Sequence, residues 1–389
     1  MGLADLFTRK KTTTLPEEAL VKHGKTGTEI LSGMIQEEYN NDLQFPDSVK
    51  IYDEMRRSDA TIAALLKALK NPLLSAEWDV QAGGEEKRDK EIADFVDRNL
   101  FGNINFQDRL REILTYLDFG FVYFEKIFQV KNGMIEWKEF APRLQKAHDK
   151  WTILGEEWRN GHPAGITQQI NSDDESANVK YPTIPWEKLL LFTNDREGNN
   201  YEGISILRPA YKHYFYKDLG YKLQSVSAER YGVGMPVATV KNSMGKPNRT
   251  KVEEFLKNIR SNEKSYGLLT DEVSKFEIVT PNGTGVGAQI EKMIEHHDKK
   301  MYDLILAGFL NLTSGEGGSN ALSKDQSSFF LRGLQSVADY IVSVMNDAIK
   351  ELVDMNYSGV ENYPTLFVSE IGQTSMDENI TAIGTAVEK

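Results

Sequence analysis

Residues 289–357 decide the architecture: QIEKMIEHHDKKMYDLILAGFL, then NLTSGEGGSN, then ALSKDQSSFFLRGLQSVADYIVSVMNDAIKELVDMNY. In the first block Ile290, Met293, Ile294, Met301, Leu304, Ile305 and Gly308 recur at helical spacing, while Glu291, Lys292, Glu295, Asp298 and Lys299 take the other side. That is the pattern of an amphipathic helix with one wet face. The last block repeats the rhythm through Phe330, Leu334, Val337, Ile341, Met345, Ile349 and Leu352. Ser323 with Gln326 offers a capping box that opens this second helix, and Gly359 lies where it should close. Such a rod is on the order of 50 Å long, more than a small domain needs for its own core. Rods of that kind pack against copies of themselves or span a layer. Between the helices stand Asn311, Leu312, Thr313, Ser314, Gly315, Glu316, Gly317, Gly318, Ser319 and Asn320, with one charge and three glycines. They read as a mobile connection, and spacing alone makes it an ordinary surface loop.

The chain has 389 residues, 40% of them hydrophobic, enough for a sizeable core and for two or three substructures. It has no cysteine, which rules out disulfides and thiolate zinc sites and suits a reducing cytoplasm. No window approaches the ~18 consecutive apolar residues of a membrane span, and the first residues lack an export signal. Gly2 lacks the Ser or Thr four positions on that myristoylation requires. A soluble protein without a membrane partner is expected. The net charge of −12 argues against a basic surface that wraps nucleic acid, because such binding needs Lys and Arg to displace counterions. An acidic or neutral lining is compatible with a conduit that a polyanion slides through.

Residues 1–45 are polar and read as an extended arm. Gly24-Lys25-Thr26 imitates the end of a phosphate-binding loop, but Ala19 stands where the first glycine belongs, so nucleotide binding is rejected. Tyr52–Leu74 reads as a helix that Pro72 ends. Further helices follow at Ile92–Leu100 and at Phe106–Leu117. Phe121–Val130 then becomes strand-like, and Asn132-Gly133 is a type I′ hairpin signal before Met134–Trp137. Trp151–Leu154 and Leu189–Thr193 flank a polar insertion at Asn171–Lys180. Ser205–Gly232 reads as a long helix, with Pro209 in its first turn and Tyr211, Phe215, Leu219, Leu223 and Val226 on one stripe. A small α/β block follows: a strand at Val237–Val240, a helix carrying Val252, Phe255, Leu256 and Ile259 with a capping box from Thr250 to Glu253, and strands at Tyr266–Thr270 and Phe276–Val279. The class is α+β.

Motifs that imitate chemistry fail on spacing. Glu295-His296-His297-Asp298 resembles a metal cluster, but neighbours on a helix point about 100° apart and do not converge as i, i+4 histidines do. Gly283, Gly285 and Gly287 have the wrong spacing for a dinucleotide loop and fit a turn. No nucleophile-elbow sequence accompanies a Ser/His/Asp set. No catalytic residue, cofactor or metal is therefore expected. Arg208, Lys212, Lys217, Lys222 and Arg230, with Lys292, Lys299, Lys300 and Lys324, are charges that could meet DNA phosphates or pair with carboxylates of a neighbouring subunit, solvated or paired faces being the commoner fate.

Five segments, in order, carry a resemblance: YDEMRRSD (52–59), WDV (78–80), DFGFVYFEK (118–126), NYEGISILR (200–208) and AERYGVGMP (228–236). The chain resembles bacteriophage portal proteins of the Mu-like branch, head-tail connectors. The resemblance implies a portal fold: an N-terminal arm (1–45), a wing of helices and antiparallel sheet (46–204), stem helices (205–235 and 287–310), a clip (236–286) with Val252, Phe255, Leu256 and Ile259 as its core, a tunnel loop (311–323), a long wing or crown helix (324–358), and a C-terminal wing strand with a short crown or tail (359–389). It further implies a homododecamer at one capsid vertex of the virion, assembled in the host cytoplasm. The terminase large subunit would drive double-stranded DNA through it without sequence preference, and the major capsid protein and head-tail adaptors would be its other partners. The residues alone leave a second class open, a soluble cytoplasmic enzyme or enzyme-associated scaffold.

Overall fold

The computed structural model describes residues 38–152, 165–168, 183–198, 200–233, 235–258, 273–279, 286–310 and 320–372. Two helices open it, α1 (Asp47–Ser58) and α2 (Ala60–Ser75), where the sequence suggested one helix from Tyr52. The break is Asp59, whose extended backbone lets its carboxylate accept a hydrogen bond from the Ile62 amide at 3.0 Å. A short acidic side chain that satisfies a free helix N–H competes with continuing the preceding helix. Pro72 lies inside α2 rather than at its end; its carbonyl still accepts from the Ala76 amide at 3.1 Å.

Strand β1 (Trp78–Gln81) pairs antiparallel with the far C-terminal strand β10 (Thr365–Val368), with Trp78 opposite Val368. Helix α3 (Lys87–Asp97) runs on into a π-helical segment, and Phe106–Leu117 divides into α4 (Phe106–Ile113) and α5 (Thr115–Phe119). Strands β2 (Phe121–Lys131) and β3 (Met134–Arg143) form the expected hairpin. Asn132 and Gly133 both take positive φ, 53° and 76°, as a type I′ turn requires. Strand β7 (Leu189–Thr193) joins the other edge of β2, giving the order β3-β2-β7, while β4 (His148–Thr152), β5 (Gly165–Gln168) and β6 (Thr183–Pro185) form a second antiparallel sheet.

Helix α6 (Tyr211–Val233) starts later than the sequence suggested: residues 206–210 form turns, with the Ala210 amide bonded to the Leu207 carbonyl at 3.0 Å, and Pro209 has no amide to contribute. Next come β8 (Met235–Val240), α7 (Lys246–Asn258) and β9 (Val273–Val279), with β8 and β9 antiparallel. The capping box assigned to Thr250 is not formed. Helix α7 begins four residues earlier, and Thr250 Oγ1 donates back to the Lys246 carbonyl at 3.1 Å. Helices α8 (Val286–Leu310) and α9 (Asn320–Asn356) complete the set. Helix α9 begins before Ser323, so that residue is not its cap and the last positions of the expected loop are helical. It ends three residues before Gly359, which has φ 64°. Among the described residues no helix is long and apolar enough to cross a membrane.

The core is organised by α9. Leu334, Ala338, Ile341, Met345, Ile349, Leu352 and Val353 are fully buried against Trp137 of β3, Leu190 and Phe192 of β7, and Leu366 and Val368 of β10. Polar bonds fix the register. Asn356 exchanges two bonds with the Ile135 backbone (2.8 and 2.9 Å), Asn346 Oδ1 accepts from the Leu366 amide at 2.8 Å, and Tyr340 Oη accepts from the Thr193 amide at 2.8 Å. The rod thus packs inside its own chain along this length. The end of the arm is also not free. Leu43 is buried, Phe45 sits edge-on to Phe121 at 5.9 Å, and Glu38 binds the Arg208 guanidinium. Apolar side chains just before α1 have the same core to enter as those inside it.

Candidate functional site

Helices α6 and α8 pack together, and the face of α6 turned towards α8 is polar and small. His213, Lys217, Gly220, Gln224 and Ser227 recur at i, i+4, i+3 spacing and are buried or half-buried. At Gly220 the approach is close enough that a Cβ would stand 2.9 Å from Ile294 Cγ1 and from Met293 Cε. Glycine is what allows the two helices to meet there.

The outward face is apolar. Phe215, Leu219, Leu223 and Val226 are 54%, 41%, 46% and 54% exposed. A surface helix ordinarily turns such a stripe inward, so here the sequence rhythm identified the residues but not the side they occupy. Contiguous exposed apolar surface marks a contact that one chain does not complete by itself.

The root of this helix pair is tied to α2 by buried charge. Lys217 Nζ, with its side chain 6% exposed, lies 2.8 Å from Asp59 Oδ2 and 2.6 Å from Asp298 Oδ1. Asp298 also accepts from the Thr61 hydroxyl at 2.7 Å. One cation satisfying two carboxylates is how a buried charge becomes tolerable. Further along α1, Asp53 accepts from Lys146 at 2.5 Å, from Arg56 at 2.7 Å and from Arg57 at 2.9 Å. Burial opposes ionisation of Asp53, but these three cations outweigh it and hold the carboxyl well below the usual range.

The charges singled out from sequence are therefore of two kinds. Arg208 and Lys217 pair within the chain, with Glu38 and with Asp59 and Asp298, and Lys222 pairs with Asp218 at 2.6 Å. Lys292, Lys299 and Lys300 are exposed on α8, Lys300 lying 4.0 Å from Asp303. The side chains of Arg230 and Lys324, residues 311–319 and 281–285, the insertion 171–180, Tyr266–Thr270, Ile259 and Gly24–Thr26 lie outside the described residues. In the small α/β unit Val252, Phe255 and Leu256 are half-buried on α7, and Phe255 meets Phe276 of β9 at 6.2 Å. Gly287, assigned to a turn, is already helical in α8. Sequence reasoning missed the Asp59–Lys217–Asp298 triad; the signal was Ser58-Asp59 ahead of an apolar run, a helix-start signature passed over in favour of one longer helix.

Residues 49–389 match the family described as portal protein of Mu bacteriophage. Among solved structures, a chain of the virion of a native gene transfer agent particle superposes with TM-score 0.54 at 10% identity, over 88% of this chain and 90% of that one. A chain from the neck of the empty particle, computed with C6 symmetry, gives 0.52 at 10% identity over 86% and 90%. A chain from the neck of the native particle, computed with C12 symmetry, gives 0.50 at 10% identity over 87% and 89%. At that identity the likeness is one of fold. No curated protein matches the sequence.

Proposed function

The chain belongs to the portal protein family of Mu bacteriophage, and from that premise we propose that it assembles into a closed ring at one vertex of a capsid. The ring would be the channel through which a terminase fills the head and DNA later leaves, and the platform for tail or adaptor proteins. Twelve subunits is the number we adopt, the symmetry used for the neck of the similarly folded gene transfer agent chain. The observation that carries the reading is the outward apolar stripe of α6. Phe215, Leu219, Leu223 and Val226 sit on a helix whose inner face is already occupied by polar contacts, and burying the half of each that is still exposed would contribute about 1 kcal/mol per residue. A copy of the same chain, presented by rotation, is the partner we assign to it.

In this reading residues 46–204 are the wing, 205–235 and 287–310 the stem, 236–286 the clip, 311–323 the tunnel loop, 324–358 the long wing helix and 359–389 the closing strand and tail. The clip core is Val252, Phe255, Leu256 and Ile259. Its helix and two described strands leave Val252, Phe255 and Leu256 half-buried, which fits a unit completed by its neighbours. The role is structural rather than enzymatic, and the net charge of −12 suits passage of DNA without a fixed grip.

Mass in solution tests it. Native mass spectrometry of the full chain should give particles of about twelve subunits, and Leu219→Lys should dissociate them while leaving the far-ultraviolet spectrum of each subunit intact. A protein that stays monomeric or dimeric at every concentration, or a Leu219→Lys ring of unchanged mass, would remove the assignment.

A further inference from the structure

Three of the chain's six histidines meet where α6 crosses α8. His213 Nδ1 and His297 Nδ1 are 3.0 Å apart. The His296 ring lies 6.5 Å from that of His213 and 5.4 Å from that of His297, and Tyr216 stacks on His297 at 5.9 Å. Two nitrogens at that distance share a proton: one imidazole carries Nδ1–H and donates, the other accepts through its Nδ1 lone pair. A first extra proton can go to a distal Nε2 and leave this bond intact. A second is taken by the accepting Nδ1, so that both Nδ1 atoms carry hydrogen; this abolishes the bond and sets two like charges face to face.

The surroundings resist that protonation. Burial comes first, then the neighbouring rings His297 and His296, then the ammonium groups of Lys212 and Lys300, and together they hold His213 below an ordinary imidazole. His297 is lowered by burial, His296 and Lys212, while Asp298 acts in the other sense. That carboxylate is already committed to Lys217 at 2.6 Å and to Thr61 at 2.7 Å, and Lys217 in turn holds Asp59 at the start of α2. Among the described groups of α6, α8 and α2 that act on the pair, Asp298 is the one carboxylate, and it is already engaged, so the added protons find no free counter-charge there.

We propose that the histidine cluster is a proton-operated latch between α6 and α8: neutral, it ties the two helices together, and fully protonated, it lets them part and draws Asp298 away from Lys217. This goes beyond ring assembly and holds for a single chain as for an assembly. The sign follows from linkage. The folded pair binds protons less readily than free histidine at 6.5, so its stabilisation is complete above that pH and is lost as the pH falls through the lowered folded values.

Hydrogen exchange read by mass spectrometry on the full-length protein tests the latch, with rates corrected for the intrinsic effect of pH. Between pH 7.5 and 5.0, amides of Tyr211–Ala228 and of Val286–Leu304 should lose protection on the order of tenfold, the factor that loss of one side-chain hydrogen bond would give, while β2 and β3 do not change. Replacing His213 and His297 together by glutamine, which keeps a donor and an acceptor but does not titrate, should abolish that pH response. If the double variant does not fold, His296→Gln serves instead: it keeps the bond but removes a ring that holds the pair neutral, so the midpoint of loosening must move to higher pH. Uniform loss across α6, α8 and the β2–β3 hairpin, an unaltered response in the glutamine variant, or an unmoved midpoint in His296→Gln would each overturn the proposal.

Discussion

Helices α6 and α9 are written in the same chemistry and used in opposite senses. Along α9, Leu334, Ile341, Met345, Ile349 and Leu352 are fully buried in their own chain, and asparagine and tyrosine side chains on the same rod stitch it to three strands. Along α6 Phe215, Leu219, Leu223 and Val226 point outward, and a lysine, a glycine and a histidine face the neighbouring helix. The difference teaches that a stripe of period 3.6 identifies a shared face without saying whose surface covers it. What separates the two cases is the composition of the remaining faces. A lysine and a glycine three residues apart, Lys217 and Gly220, suit a close polar contact with one particular partner, whereas α9 offers continuous apolar volume.

The largest effect expected from breaking this contrast is in the core. Ile341→Ala should cost a subunit about 2–5 kcal/mol, read by denaturant unfolding, while Leu219→Ala costs an isolated subunit under about 1 kcal/mol and shows itself only in assembly. Equal losses at both positions would erase the distinction between the helices. Next in size is the buried triad. Lys217→Ala leaves Asp59 and Asp298 facing each other without their cation and should cost about 3 kcal/mol, whereas the triple change Lys217→Met, Asp59→Asn, Asp298→Asn should recover most of that. A single Lys217→Ala that melts like the parent would mean that water replaces the ammonium at no cost. Smaller again is Gly220→Val, which should cost about 1–3 kcal/mol by pressing on Ile294 and Met293; a shorter partner at 294, Ile294→Ala, should relieve part of it, and additive losses would disprove the close contact. The smallest is an acid effect at Asp53. Its carboxyl lies below the usual range, so its stabilisation is present above about pH 4 and is lost as the pH falls through the folded value. Asp53→Asn should therefore flatten part of the acid limb of stability, and an unchanged limb would show that its three cations are solvent-screened.

Much of the fold could be read from sequence where the pattern was local. The Asn132-Gly133 turn, the rhythm of α8 and α9, the α+β class and the portal resemblance all rest on neighbours within a few residues or on ordered motifs. What sequence could not supply was pairing at a distance. Trp78 gives no sign that its partner is Val368, and Lys217 reads like any surface lysine until Asp59 and Asp298 are seen around it. Helix starts failed for a related reason: Thr250 and Ser323 both look like caps, yet the residues before them were free to extend the helix, and a local preference of about 1 kcal/mol gives way to that. His296 and His297 were dismissed as adjacent residues that cannot converge, which is correct for one helix, and their meeting with His213 required the second. The Leu219 face was legible as residues and illegible as surface, because the period says which residues share a face and not which way it turns.

Asp59 is a residue whose mechanical meaning follows from its two bonds. One carboxylate oxygen starts α2 by holding the Ile62 amide, and the other holds Lys217 in the second turn of α6. Any torque applied along α6 thus reaches α2 at its first turn, through a lever arm one side chain long and with little side-chain slack to absorb it. Pulling α6 away from that pivot in a force experiment should unravel α2 from its N-terminal end, so that tension on the outer helices is registered deep in the body of the molecule.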